Sequence, residues 1–160
     1  MNRKHMRGTY TVEFAVIGLL VFTLLFGVLE MGRLYFTVNA LDEAVRRGTR
    51  LAAVCDISDP AILQRAIFNA AGDAGTSRLI GDLATTHLIL TYFDASGSEV
   101  ANPTTSGFNA IRYVQLSLPN FVFKLFIPGF GASITLPTFQ ATLPRESLGR
   151  HSDSGEITPC

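Results

Sequence analysis

Between Phe14 and Leu29 the chain runs sixteen residues, FAVIGLLVFTLLFGVL, with no charge and with Thr23 as the one polar side chain. Glu13 and Glu30 bracket this run. As an α-helix the interval between them is about 25 Å long. That spans a hydrocarbon core of roughly 30 Å when both carboxylates sit at the interfaces and the bilayer thins slightly. A buried core helix is the alternative, but apolar residues occupy the whole circumference and only about 130 residues remain to cover them. The segment therefore reads as membrane-spanning, over 9–33 once its flanks are included, and the rest of the chain has to be organised around that anchor.

Composition narrows the remainder. The chain is 48% apolar and 16% charged, against about 25% charged for an average globular domain, which excludes a disordered polymer. Thirteen basic residues balance thirteen acidic ones and only Lys4 and Lys124 are lysines, so no nucleic-acid partner is expected. Three histidines and two cysteines do not make a paired Cys/His zinc module, and neither a metal nor a cofactor is expected. Arg3, Lys4 and Arg7 crowd the leading side of the span, whereas Arg33, Arg46 and Arg47 are spread over the trailing side. The positive-inside rule then puts the N-terminus in the cytoplasm and the body of the chain outside. A cleaved secretory signal would need a small-x-small site after the run, where Leu29-Glu30-Met31-Gly32-Arg33 stands instead.

Helical periodicity continues past Glu30. Leu34, Val38, Leu41, Val45, Gly48, Ala52 and Cys55 recur at steps of three and four, while Asp42, Glu43, Arg46, Arg47 and Arg50 fall on the other face. Asp42–Arg46 and Glu43–Arg47 are i,i+4 pairs with the acid leading, the better orientation. A helix continuation over 34–55 follows, so that one helix from Thr9 to Val54 is roughly 69 Å long. Asp59-Pro60 restarts the pattern as N-cap and first helical residue of a second helix over 60–71. Residues 72–86 are a Gly-rich connection. From 87 to 146 the chain is mainly β: His87–Phe93, then Arg112–Leu118 with Val114, Leu116 and Leu118 on one face, then Phe139, Ala141 and Leu143 against Thr138, Gln140 and Thr142. Ile134-Thr135-Leu136 is expected to open that last strand, with Pro137 at a bulge. The fold class is α+β, a long N-terminal transmembrane helix continuing into a small head over 34–146 with a short helix and an antiparallel sheet, followed by a polar, loose tail over 147–160.

The start of the chain, Arg7-Gly8-Thr9-Tyr10-Thr11-Val12-Glu13-Phe14, resembles a type IV prepilin leader: short and basic, ending in Gly, with Glu at the fifth residue after the cut and an aromatic after it. The end of the span, Phe26-Gly27-Val28-Leu29-Glu30-Met31-Gly32-Arg33, resembles the Phe-Gly-x-x-Glu-x-Gly-Arg signature of TadE-like pseudopilins of the tight-adherence (Tad) pilus. Both stand in register on one span, within residues 7–50. The resemblance implies a leader over 1–8, cut between Gly8 and Thr9 by a prepilin peptidase, and a pilin-like lollipop fold. Cutting eight of 160 residues leaves 152 and takes the formal net charge from 0 to −3 with the loss of Arg3, Lys4 and Arg7. It assigns Glu13, with Phe14 beside it, to subunit assembly, and makes Gly27, Glu30, Gly32 and Arg33 the family signature. Implied partners are the peptidase, Flp-type pilin, TadF-like pseudopilins, the pilus membrane platform and the membrane itself. A carboxylate just inside an apolar run is costly and a functional candidate by default; the plainer alternative lifts the Glu13 carboxylate into the headgroups.

Other candidates are weaker. There is no G-x-S-x-G, P-loop or H-E-x-x-H, Gly129-Phe130-Gly131 reads as a turn, and His87 is a lone histidine at a strand edge. The chain reads as a non-enzyme. Cys55 and Cys160 either bridge, closing a loop of about a hundred residues, or Cys55 is a small buried residue of the apolar stripe, the side to which the balance leans. The segment Asn120–Phe130 concentrates Phe121, Phe123, Phe126 and Phe130. It reads as a core strand with Lys124 pointing out or, alternatively, as a contact patch that packs on a partner subunit or dips into the membrane surface. Two alternatives to a pseudopilin stand beside this reading: a single-pass, signal-anchored envelope protein whose head binds a ligand or partner, and an accessory subunit with a pocket at His87 and Arg112.

Overall fold

The computed structural model describes residues 6–126, 132–151, 153–157 and 160, and of residues 6–9 the backbone alone. Helix α1 runs from Met6 to Val54. The first proline of the chain is Pro60, so nothing in this stretch removes a helical donor. Thr23, the polar side chain of the apolar run, returns its hydroxyl to the Leu19 carbonyl at 2.8 Å, the arrangement that leaves no unpaired donor on an apolar helix. The chain divides into two compact units. One holds α1 up to Phe36 together with Phe123–Ile134; the other holds Thr37–Val122 and Thr135–Cys160.

In the first unit apolar side chains are exposed all along the helix, among them Phe14 at 78%, Leu19 at 72% and Val28 at 70%. An 18-residue window of α1 has a mean hydropathy of 2.5 and none of it is buried. The helix is long and apolar enough to cross a membrane. Strands β3 (Val122–Lys124) and β4 (Ser133–Thr135) form a two-stranded sheet, and just beyond it the Leu125 N–H donates to the Ala132 carbonyl at 3.1 Å. Residues 123–134, expected within the head, thus group with the apolar half of α1.

In the second unit α1 is amphipathic in the sense its periodicity requires. Leu41, Ala44, Val45 and Ala52 are buried, and Glu43, Arg46, Arg47 and Arg50 are exposed. Arg46 pairs with Asp42 at 2.9 Å. The parallel Glu43–Arg47 pair does not form, because Arg47 lies over the Phe68 ring instead, 5.7 Å from its centroid. Helix α2 (Pro60–Ala66) starts as expected, with the Asp59 carboxylate accepting from the Ala61 N–H at 2.8 Å. It ends five residues short of Ala71. Phe68 turns left-handed at φ 66°, and the buried Asn69 amide donates to the carbonyls of Gly75 and Thr76, each at 3.2 Å, which ties the following loop down.

Strands β1 (Ile89–Phe93), β2 (Tyr113–Leu118) and β5 (Phe139–Pro144) make an antiparallel sheet in the order β1-β2-β5. Leu116 faces Leu90 on one side and Ala141 on the other. Val114, Leu116 and Leu118 are fully buried, as the alternation of β2 demands. Against this face α1 carries Gly48. A Cβ there would come within 2.8 Å of Ala66 Cβ and closer still to Leu116 Cδ2, so the hydrogen side chain lets α1, α2 and β2 meet. Ile134 and Thr135 do not open the last strand. They pair as part of β4 with β3, and β5 begins only at Phe139, beyond Pro137, which has no N–H for a ladder.

Among the described residues, the tail expected to be loose is held to the end of α1. The N–H groups of Glu146 and Leu148 donate to the Ala53 carbonyl at 3.1 and 3.2 Å, and that of Gly149 to Val54 at 2.7 Å. The Ser147 hydroxyl joins them at Val54, 3.0 Å away. These bonds satisfy carbonyls that the last turn of a helix leaves orphaned. Leu148 is fully buried, and Gly149, at φ 73°, sits where a Cβ would strike the Asp56 backbone. Cys55 and Cys160 are joined by a disulfide with a Cα–Cα distance of 5.4 Å. The Cys160 N–H also bonds the second carboxylate oxygen of the Asp59 cap, at 3.0 Å.

Candidate functional site

Two stretches of α1 carry the residues singled out from sequence. At its start, Gly8 and Thr9 lie within the helical backbone that opens at Met6. One turn on, Glu13 and Phe14 are both exposed. Further along, a Cβ added at Gly18, Gly27 or Gly32 would meet nothing within 4 Å. A glycine inside a helix costs about 1 kcal/mol relative to alanine, and among the described residues nothing packs where a Cβ of these three would lie.

At the end of the apolar run the geometry is specific. Glu30 and Arg33 are one turn apart, and one Glu30 oxygen, Oε1, accepts from Arg33 Nε at 3.1 Å and also from Arg33 Nη2. The same oxygen accepts from the Phe126 N–H at 3.2 Å. Arg33 Nη2 donates in turn to the Lys124 carbonyl. The guanidinium carbon lies over two aromatic rings, 4.2 Å from the centroid of Phe123 and 4.0 Å from that of Phe126. A planar, weakly hydrated cation suits this site, where an ammonium would lose the fork of donors. The Glu30 side chain is 12% exposed and that of Arg33 32%. Charge next to an apolar run is thereby offset by an opposite charge and by backbone groups. The arrangement is a clasp: an acid and a base on the helix hold the strand end of a hairpin more than ninety residues later.

The Phe-rich segment is divided by this clasp. Phe121 and Phe123 are buried at 6% and 3%, whereas Phe126 is 74% exposed; Phe130 lies outside the described residues. Sequence reasoning singled out Glu30, Arg33 and the phenylalanines separately and did not join them. The Lys124 carbonyl and the Phe126 amide were missed entirely, because backbone groups leave no mark in side-chain pattern.

The head offers less. His87 is exposed, with its ring edge-on to Phe121 at 6.3 Å. Arg112 spends Nη1 on the carbonyls of Asn109 and Ile111, both at 2.9 Å. A cleft of about 130 Å³ lined by Asp56, Ile57, Thr104, Phe108, Arg150 and Ile157 contains neither residue, and it is smaller than usual small-molecule sites of roughly 300–1,000 Å³. Burial pushes the Tyr92 hydroxyl pKa up, aided by the Asp56 carboxylate and opposed by the Ser58 backbone; that hydroxyl lacks a well-formed hydrogen bond. Tyr92 belongs to the core cluster around Ile62, Ile111 and Leu148.

Comparison with protein families bears on α1. Residues 8–50 match the model of the TadE-like protein family. This stretch is TadE-like. The match starts at Gly8, takes in Glu13, Glu30 and Arg33, and stops inside the amphipathic part of α1. It associates the chain with the Tad pilus. No curated protein and no solved structure gives a significant match.

Proposed function

We propose that the chain is a TadE-like minor pseudopilin that takes part, without catalysis of its own, in the initiation or assembly of Flp-type pili. The observation that carries this reading is the family match over 8–50, laid on a helix whose apolar residues are exposed all round. In this reading α1 anchors the chain in the cytoplasmic membrane, N-terminus inside, and prepilin peptidase cuts after Gly8. Glu13 then lies one turn from the new α-amine of Thr9 and serves assembly with a neighbouring subunit. Glycines 18, 27 and 32, open on the helix surface, allow close approach of another pilin helix, whether Flp-type pilin, a TadF-like pseudopilin or the membrane platform. A head outside the cytoplasm suits the Cys55–Cys160 disulfide, since such bonds persist in oxidising compartments.

Intact mass of membrane-extracted protein, expressed with and without a matching prepilin peptidase, tests the reading. Loss of residues 1–8 only with the peptidase, abolished by Gly8→Asp, is the expected result. A chain left uncut under both conditions refutes processing and favours a signal-anchored envelope protein with a partner-binding head.

A further inference from the structure

A group bonded to a residue at the membrane boundary lies at the depth of that residue. Glu30 is the first charge after the apolar run, about 25 Å along the helix from Glu13, so with α1 spanning a bilayer its carboxylate stands at the interface. The Phe126 N–H is bonded to that carboxylate at 3.2 Å, and the Phe126 ring lies 4.0 Å from the Arg33 guanidinium one turn on. Phe126 is therefore fixed at the same depth. It is 74% exposed, Ile134 on the partner strand is 39% exposed, and on α1 itself Tyr35 and Phe36 are 66% and 52% exposed. Apolar side chains exposed at this level fit the boundary between headgroups and acyl chains, where Phe and Leu side chains bury their surface, and in water Phe126, Ile134 and Phe36 would form an exposed apolar patch.

We propose that the β3–β4 hairpin makes a second membrane contact. Through Phe126 and Ile134 it sits in the interfacial layer of the leaflet where the apolar run ends, with Glu30 and Arg33 as the positioning residues. The occupant of this surface is lipid. The inference rests on α1 being a membrane span, and its test separates the two.

The chain contains no tryptophan, so Phe126→Trp and Phe22→Trp each give a single-tryptophan protein. Each full-length variant is reconstituted in phosphatidylcholine vesicles brominated either near the headgroup or near the chain ends. Phe126→Trp is expected to show blue-shifted emission and stronger quenching by the headgroup-side bromine. Phe22→Trp, near the middle of the apolar run, is expected to reverse that order. Arg33→Ala added to Phe126→Trp is expected to abolish the headgroup-side quenching, while the same change leaves Phe22→Trp quenching as it was. Unquenched Phe126→Trp beside quenched Phe22→Trp overturns the hairpin contact and leaves the span standing. Blue-shifted but unquenched emission at position 126 overturns it in favour of a protein cover, such as a second copy. Quenching at 126 that survives Arg33→Ala overturns the positioning role. If Phe22→Trp is itself unquenched, the span fails and the hairpin contact with it.

Discussion

From Tyr10 to Phe36, α1 exposes Phe14, Leu19, Phe22, Leu24 and Val28, each by at least 61%. From Thr37 to Val54 the same helix buries Leu41, Ala44, Val45, Thr49 and Ala52. The backbone does not change between the two stretches; the medium that each is written for does. The second half meets a sheet and a short helix along one stripe and turns its arginines outward, whereas the first exposes its apolar residues and, through Glu30 and Arg33, holds Lys124 and Phe126. Glycine shows the contrast most sharply. Gly48 is required by a close approach of Leu116 and Ala66, while a Cβ at Gly18, Gly27 or Gly32 would have nothing within 4 Å.

The largest test of this contrast is the disulfide, which constrains the packed half alone. Its sequence separation is 105, and closing a loop of that length stabilises by about 4–5 kcal/mol on the chain-entropy model. Cys160→Ser in the full chain is expected to lower the unfolding midpoint of the head by that equivalent in detergent micelles, with amide exchange between Tyr10 and Leu29 unchanged. Equal loosening of both stretches would break the comparison. Next in size, Gly48→Ala is expected to destabilise the head by about 1–3 kcal/mol through overpacking. Gly27→Ala should leave the head unaffected and firm the helix by at most about 1 kcal/mol. Equilibrium unfolding of the two variants side by side measures the difference.

The smallest effect is local and set by pH. The Asp94 carboxylate accepts from the Ser96 hydroxyl at 2.6 Å and from the N–H groups of Ser96 and Ser98 at 2.8 and 3.0 Å. These bonds, the Ser96 hydroxyl first, hold its pKa below the ordinary carboxylate value. A depressed folded-state pKa means that the stabilisation is present above an unfolded value of about 3.9 and is lost as pH falls through the folded one. Protection of the Ser96 and Ser98 amides relative to intrinsic exchange is therefore expected to fall below about pH 4, with no matching change in the apolar half of α1.

Much of this was legible in one dimension. The apolar run, the amphipathic stripe from Leu41 to Cys55, the Asp59-Pro60 helix start and the alternation of β2 all follow from neighbours within a few residues, where period and capping chemistry act. So did the TadE-like character of the span, because Gly8, Glu13, Glu30 and Arg33 stand at set offsets along it. Three misreadings turned on a partner from another element. Glu43–Arg47 gave way to an aromatic ring from another element, the tail was secured by carbonyls at the end of α1, and Ile134-Thr135 found β3 instead of joining β5. Each depended on a partner outside the segment's own pattern.

Local sequence alone thus determined the anchor, the periodicity of each element and the candidate processing motif, since hydropathy and helical spacing are properties of contiguous residues. Tertiary structure alone decided that Glu30 and Arg33 grip the hairpin at Lys124 and Phe126, that Phe123 is buried while Phe126 is exposed, and that Cys55 meets Cys160. Those choices rest on backbone hydrogen bonds and ring contacts across some ninety to a hundred positions, and only folding brings such groups within bonding distance.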